Sequence, residues 1–85
     1  MTDDEFDLLD ELYFVQSYRE IQDAINWNDH RLIATLTSIY KEGYIKILKA
    51  HDEEYKNQND NYDTIPWKEL YFLATKKGLL QHNGF

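Results

Sequence analysis

Apolar residues in the first half of the chain recur at intervals of three and four, which is the spacing of amphipathic helices. They predict helices over residues 4–15, 18–25 and 29–42. The three apolar stripes are Phe6, Leu9, Leu12 and Tyr13; Tyr18, Ile21, Ala24 and Ile25; and Leu32, Ile33, Leu36, Ile39 and Tyr40. Because each stripe covers one side of its helix, we expect the three helices to pack around a common core.

Capping signals mark the ends of these helices. Ser17 and Glu20 stand three residues apart at the start of the second helix, which is the pattern of a capping box. Asn28 or Asp29 is placed to cap the third helix, because both side chains accept hydrogen bonds from free backbone amides. Gly43 follows the third helix and suits the left-handed conformation that ends a helix.

The second half of the chain predicts two strands and a short helix. The segment YIKILK at 44–49 predicts a strand, which we expect to pair with a second strand, LYFLA at 70–74. Residues 51–63, HDEEYKNQNDNYD, are polar and lack periodicity, so they predict a long mobile loop. Thr75 is placed to cap a C-terminal helix, KKGLLQH, and a short additional strand is expected near Gln16.

Three stretches between residues 17 and 80 carry motifs in a specific order. SYREIQDAIN is similar to S-x-x-E-[IL]-x-x-x-[IL], LIATLTSIYKEGYI to L-x-x-L-x-x-x-G-x-I, and FLATKKGLL to Y-x-L-T-x-x-G-x-x-L. In this order they resemble the winged helix-turn-helix family, including its MarR-like and PadR-like bacterial regulators. The resemblance implies one α+β domain over 1–85, with a three-helix core, a two-stranded β-wing and a short C-terminal helix.

The resemblance also implies a place for DNA. In DNA-binding members the exposed residues of the third helix enter the major groove, which here assigns Arg31, Thr35, Ser38 and Lys41 to contacts with bases or phosphates. The wing of such members offers basic residues to the DNA backbone, whereas the corresponding segment 51–63 is acidic. The likeness therefore predicts the fold and leaves DNA binding as the alternative function, because function belongs to a site rather than to a fold.

The charge balance argues against strong DNA binding. The 85 residues carry a formal net charge of −7, and residues 1–28 hold eight acids against Arg19. Affinity for DNA comes mainly from Lys and Arg that neutralise phosphates, and no segment of this chain is a basic patch. We therefore expect a protein partner or self-association, with nucleic acid disfavoured by the net charge.

No residue pattern points to catalysis, a cofactor or a metal. HDEE at 51–54 contains metal-ligand residue types, but four consecutive residues in a loop lack the ligand spacing of a structural site. The carboxylates lie at a helix start or in the loop, and neither Ser17 nor Ser38 has an evident histidine partner. The absence of cysteine excludes disulfides and thiolate sites. We expect a protein that is not an enzyme and holds no cofactor or metal.

The faces of the two strands predict a partner surface. If Ile45 and Ile47 point into the core, alternation directs their neighbours outward. The residues expected to form an exposed apolar patch are Tyr44, Leu48, Tyr71 and Leu73. Such patches mark partner surfaces, unless another element covers them. The acidic first helix is the second candidate surface.

The start of the chain and its hydropathy predict a cytoplasmic protein. MTDDEFDLLDE is acidic, unlike a signal or transit peptide, and no apolar run approaches the roughly 18–20 residues of a membrane span. The function expected is a non-catalytic protein-interaction or regulatory accessory module. The alternative is a transcription regulator that reads DNA with the helix over 29–42.

Overall fold

The chain folds into four helices and a four-stranded antiparallel sheet, in a computed structural model that describes residues 1–57 and 61–84. The elements in chain order are α1 (Asp3–Asp10), β1 (Gln16–Ser17), α2 (Tyr18–Ile25), α3 (Asp29–Lys41), β2 (Ile45–Ala50), β3 (Glu53–Tyr55), β4 (Tyr71–Ala74) and α4 (Lys76–His82). Short 3-10 turns, Tyr62–Thr64 and Trp67–Glu69, precede β4. The predicted α+β class is confirmed. In the described part of the chain, no helix has the length and apolar character needed to cross a membrane.

The boundaries of α2, α3 and α4 follow the predicted caps. Ser17 and Glu20 form the capping box, in which each side chain accepts a hydrogen bond from the backbone amide of the other. Asn28 caps α3 and Thr75 caps α4. Gly43 follows α3 with φ of 77°, in the left-handed region that it was predicted to occupy.

The predicted first helix was wrong beyond Asp10, where α1 ends. The carbonyl of Leu12 accepts a hydrogen bond from the amide of Ala74 at 2.9 Å, so the sheet, not a further helical turn, satisfies the backbone here. The predicted apolar stripe was also partly wrong: Glu5, Leu8, Leu9 and Leu12 are buried, whereas Phe6 and Tyr13 are exposed. Two aromatic side chains expected in the core therefore lie at the surface.

The sheet has the strand order β1-β4-β2-β3. In the pairing of β2 with β4, Ile47 lies opposite Phe72 and Ile45 lies opposite Ala74. All four side chains are buried, as the alternation of the strands predicts. The additional strand expected near Gln16 is confirmed as β1, which pairs with β4.

The prediction of a structureless loop over 51–63 was wrong in two places. Residues Glu53–Tyr55 form β3, which pairs with β2, and Tyr62–Thr64 form a 3-10 turn. Composition alone favours a loop here, but β2 offers a free edge, and a strand partner outweighs weak local propensity. Residues 58–60 of the predicted loop lie outside the described residues.

The core lies between the helices and one face of the sheet. Its buried apolar side chains are Leu8, Leu9, Leu12, Tyr18, Ile21, Trp27, Leu32, Leu36, Ile39, Ile45, Ile47, Ile65, Trp67, Leu70, Phe72 and Ala74. Ala24, predicted on the inner face of α2, is exposed instead. Leucines and isoleucines take most of the inner helical positions, while the two tryptophans close the core beside α2 and α3.

Helix α4 packs against the backbone at Tyr44, the residue before β2, so closely that no side chain fits between them. A Cβ atom at Gly78 would collide with the carbonyl of Tyr44. That carbonyl accepts a hydrogen bond from the amide of Thr75, whose hydroxyl donates to the carbonyl of Gly43 at 2.6 Å. Because glycine has no side chain, position 78 allows α4 to contact the backbone of Tyr44, immediately before β2.

Candidate functional site

The predicted DNA-reading helix has its basic end tied to α1. The guanidinium of Arg31 donates two hydrogen bonds to the carboxylate of Asp4, from Nη2 at 2.7 Å and from Nε at 3.1 Å. It also lies 4.1 Å from the ring centroid of Trp27. The hydrogen bonds hold the pKa of Asp4 below its ordinary value and raise the pKa of Arg31. Arg31 is thus already the bidentate partner of an anion.

The carboxylate of Glu5 makes a second link between α1 and α3. It is buried, and it accepts hydrogen bonds from the hydroxyl of Ser38 at 2.7 Å and from the amide of Thr2 at 2.8 Å. Burial raises the pKa of Glu5, but the hydrogen bonds from Thr2 and Ser38 outweigh it and hold the pKa below its ordinary value. The negative charge of α1 is therefore fixed against this flank of α3.

The other two candidates for DNA contact also have partners within the chain. Thr35 is buried, and its hydroxyl donates to the carbonyl of Arg31 at 2.8 Å. The ammonium of Lys41 lies 4.8 Å from the ring centroid of Tyr62. The structure brings Arg31, Thr35 and Ser38 together on the flank of α3 that faces α1, while Lys41 lies apart from them at the C-terminal end.

The predicted apolar patch on the sheet is largely covered. Its members were Tyr44, Leu48, Tyr71 and Leu73, and register places Leu48 opposite Tyr71 on the face away from the core. Leu48 is only 4% exposed, so its predicted exposure was wrong. The ring of His51 packs edge-on against Tyr71 at 5.2 Å, and the ammonium of Lys77 lies 5.5 Å from the ring of Tyr44. Neighbouring side chains therefore shield much of this face.

The exposed large apolar side chains lie elsewhere, mostly on and beside α1. In the described residues they are Met1, Phe6, Tyr13, Phe14 and Leu80. Phe14 is 78% exposed, the highest value among them. Phe6 and Tyr13 were predicted from their helical spacing to face the core, and no pattern distinguished Phe14. The signal was present, because Phe6 shares a helical face with Asp3, Asp7 and Asp10, and such a face does not enter a core.

A buried histidine joins α4 to this region. The ring of His82 stacks on Phe6 with centroids 4.1 Å apart, and its Nδ1 lies 2.6 Å from the hydroxyl of Tyr13. Its Nε2 is buried without a hydrogen-bond partner among the described residues, and the nearest carboxylate oxygen, on Asp10, is 3.6 Å away. No sequence pattern marked His82, because its partners lie in the first fourteen residues of the chain.

The carboxylate of Asp29 is the most heavily hydrogen-bonded acid outside α1. It accepts from the hydroxyl of Tyr18 at 2.7 Å and from the amide of Gln22 at 2.9 Å, and it lies 3.0 Å from the ammonium of Lys68. These bonds, with Tyr18 first, lower the pKa of Asp29 to about 2. A carboxylate whose pKa is held this low stays ionised near neutral pH, and its three partners link α3 to α2 and to the 3-10 turn before β4.

Several open grooves lie on the surface of the described residues. A groove of about 500 Å³ runs beside α3, lined by Ile33, Thr37, Asp63, Ile65, Pro66, Trp67, Lys68 and Glu69. Its charged side chains are exposed, whereas acid–base catalysis requires desolvated, tuned groups. Within residues 1–57 and 61–84, no three His, Asp or Glu side chains converge to hold a metal ion.

No protein-family model matches the chain, and comparison with curated proteins and with solved structures gives no match either.

Proposed function

We propose that this chain is a non-catalytic protein-interaction or regulatory accessory module on a winged-helix scaffold, and that it is a weak DNA binder or none. The order of the elements supports this scaffold. Three helices precede the hairpin of β2 and β3, and the short β1 lies between α1 and α2. It is supported further by the pairing of β1 with β4 and of β4 with β2.

One observation carries the functional part of the proposal: the carboxylates of α1 occupy the polar flank of α3. Asp4 engages Arg31 through two hydrogen bonds, and Glu5 engages Ser38. These are the groups on α3 that a DNA reader needs for bases and phosphates. Any phosphate that approached them would meet Asp3, Asp4 and Glu5 at short range.

The overall charge also disfavours DNA binding. The net charge of −7 repels a polyanion over distances of about 10 Å at ordinary salt, and the acids concentrate in the first helix beside α3. A protein partner is not subject to this penalty, and an acidic surface accelerates encounter with a basic one. Several large apolar side chains remain exposed near these acids, and a protein interface can bury them.

The direct test is the binding of mixed-sequence duplex DNA to the full chain, followed by fluorescence anisotropy at low salt and near physiological salt. Low salt favours electrostatic association most strongly. We expect no binding in either condition. Binding that falls steeply with salt, and that Arg31→Ala and Lys41→Ala both weaken, would contradict the proposal and support the alternative of a regulator that reads DNA with α3.

A matched variant makes the test sharper. Asp4→Asn removes one negative charge from α1 and weakens the carboxylate hold on Arg31. Asp23→Asn removes one negative charge from α2, at a residue whose ion-pair partner is Arg19 rather than a residue of α3. If α1 screens a latent DNA surface, Asp4→Asn gains DNA affinity and Asp23→Asn does not. Equal, undetectable binding by both variants supports a module that does not use DNA.

A further inference from the structure

One face of α1 combines aromatic and acidic side chains and continues into the segment after it. Asp3, Phe6, Asp7 and Asp10 recur at helical spacing on the side opposite the buried leucines, and all four are exposed. Tyr13, which contacts the same His82 ring as Phe6, extends this side of the molecule beyond the end of the helix, and the exposed Phe14 follows it in the chain. We call the surface formed by Phe6, Asp7, Asp10, Tyr13 and Phe14 the aromatic–acidic surface.

Two aromatic members of this surface, Phe6 and Tyr13, are held in place from below. The ring of His82 stacks on Phe6 at 4.1 Å and meets Tyr13 edge-on at 5.3 Å. The side chain of His82 is only 8% exposed, so it forms a rigid floor beneath both rings. A surface of fixed aromatic rings loses little conformational entropy when a partner covers it, which favours binding.

A second observation independently points to a missing ligand group. Nε2 of His82 is buried and has no hydrogen-bond partner in the described residues. It faces Asp10, whose carboxylate oxygen lies 3.6 Å away, beyond hydrogen-bonding distance. Buried polar atoms in folded proteins almost always have a partner, and an orphan needs an explanation. This nitrogen lies beneath the surface, beside the exposed carboxylate of Asp10.

The charges identify the kind of partner. Residues 1–18 contain six acids and no Lys, Arg or His. A second copy of the chain would bring the same acids against this surface, and a nucleic acid would bring phosphates, so both are repelled. A segment with Lys or Arg beside large apolar side chains matches the surface in both respects: its cations meet Asp7 and Asp10, and its apolar groups cover Phe6 and Phe14.

We propose that the aromatic–acidic surface binds a segment of a partner protein that presents Lys or Arg next to an aromatic or leucine side chain. This inference depends on the proposed function, since it locates the partner site of the interaction module and names the partner's chemistry. We expect Phe14 to contribute most, because it is the most exposed large apolar side chain among the described residues and does not belong to the core. Central aromatic residues carry much of the energy of an interface.

The test is a selection of random short peptides, displayed on phage, against the immobilised full chain near physiological salt. Selected peptides are then synthesised with a fluorescent label and titrated by anisotropy against the wild type and three variants. Phe14→Ser removes the exposed ring, and Asp7→Asn with Asp10→Asn removes two charges. Tyr71→Ser is the control on the sheet face. Thermal unfolding verifies that each variant is folded.

We expect the selected peptides to share basic residues flanking an aromatic residue or leucine. Phe14→Ser should weaken their binding by about tenfold or more, since truncated central aromatic contacts cost that much in other interfaces. The Asp7→Asn, Asp10→Asn double variant should weaken binding and flatten its dependence on salt, and Tyr71→Ser should bind as the wild type does.

Three other results overturn the inference and separate it from the proposed function. Peptides that bind Phe14→Ser as tightly as the wild type but lose affinity for Tyr71→Ser show that the module uses its sheet face, so the proposed function stands and the site is wrong. Failure to enrich any peptide, together with salt-sensitive DNA binding by the wild type, refutes both. Concentration-dependent dimerisation that Phe14→Ser abolishes replaces the basic partner with a second copy.

Discussion

The hydroxyl of Tyr13 lies 2.6 Å from Nδ1 of His82, and this contact joins residues that are 69 positions apart in the chain. The stacking of the same imidazole on Phe6 reinforces it. Together these contacts fasten α4 to α1, the last helix to the first. The two helices depend on each other, since neither His82 nor Phe6 has a comparable ring partner on its own helix.

Replacing His82 with alanine should destabilise the chain by about 1–3 kcal/mol, because the change removes a side-chain hydrogen bond and a stacked aromatic contact. Urea denaturation followed by circular dichroism measures the loss as a lower midpoint. His30→Ala is the matched control, since His30 is exposed on α3 and its removal should stay within about 0.5 kcal/mol. Equal midpoints for His82→Ala and the wild type would show that the contact contributes nothing to stability.

Acid should destabilise the chain partly through Asp29. The pKa of Asp29 is about 2 in the folded chain, against an ordinary value of 3.8, because Tyr18, Gln22 and Lys68 stabilise its carboxylate. A depressed folded pKa contributes stability that is fully present above the unfolded value and is lost as the pH falls through 3.8 towards 2. Asp29→Asn cannot titrate, so its stability should fall less steeply across this range.

The comparison requires urea midpoints for the wild type and Asp29→Asn at several pH values between neutrality and the acid limit. Tyr18→Phe serves as the second variant, because it removes only the hydroxyl that donates to Asp29 at 2.7 Å. Its acid sensitivity should lie between those of the wild type and Asp29→Asn. Parallel pH profiles for all three proteins would show that these hydrogen bonds do not couple protonation of Asp29 to folding.

Gly78→Ala should destabilise the chain although alanine is the better helix former. Alanine gains up to about 1 kcal/mol of helix propensity over glycine. Its Cβ, however, would collide with the Tyr44 carbonyl, which is backbone and cannot rotate away. Overpacking of this kind typically costs about 1–3 kcal/mol, so we expect a net loss. Lys76→Ala, at an exposed position of the same helix, is the control and should be close to neutral.

The parts of the fold that local chemistry determines were predictable from the sequence. The boundaries of α2 followed from Ser17 and Glu20, and the end of α3 from Gly43, because capping groups act on residues within one helical turn. The inward faces of β2 and β4 followed from alternation. Each of these signals is complete within a few residues, so no knowledge of the tertiary structure was required.

The rest depends on partners that are distant in the sequence. The end of α1 is determined by Ala74, which takes the carbonyl of Leu12, and β3 forms because β2 has a free edge. Likewise, the sequence predicts Arg31 to be a free cation on an exposed helical face. In the structure it donates hydrogen bonds to Asp4, which lies 27 positions earlier in the chain. The candidate site and the element boundaries therefore differ from their predictions for one reason. Long-range contacts determine which side chains remain exposed for a partner.

The composition of the two outer strands affects the tendency of the chain to aggregate. Unpaired strand edges act as templates for pairing with other chains, which is a route to aggregation. At one edge of the sheet β1 has only two residues, too few to guide such pairing. At the other edge β3 presents the exposed carboxylates of Glu53 and Glu54, which repel the same edge on a neighbour. The acidity of this sequence therefore also protects the sheet against uncontrolled extension.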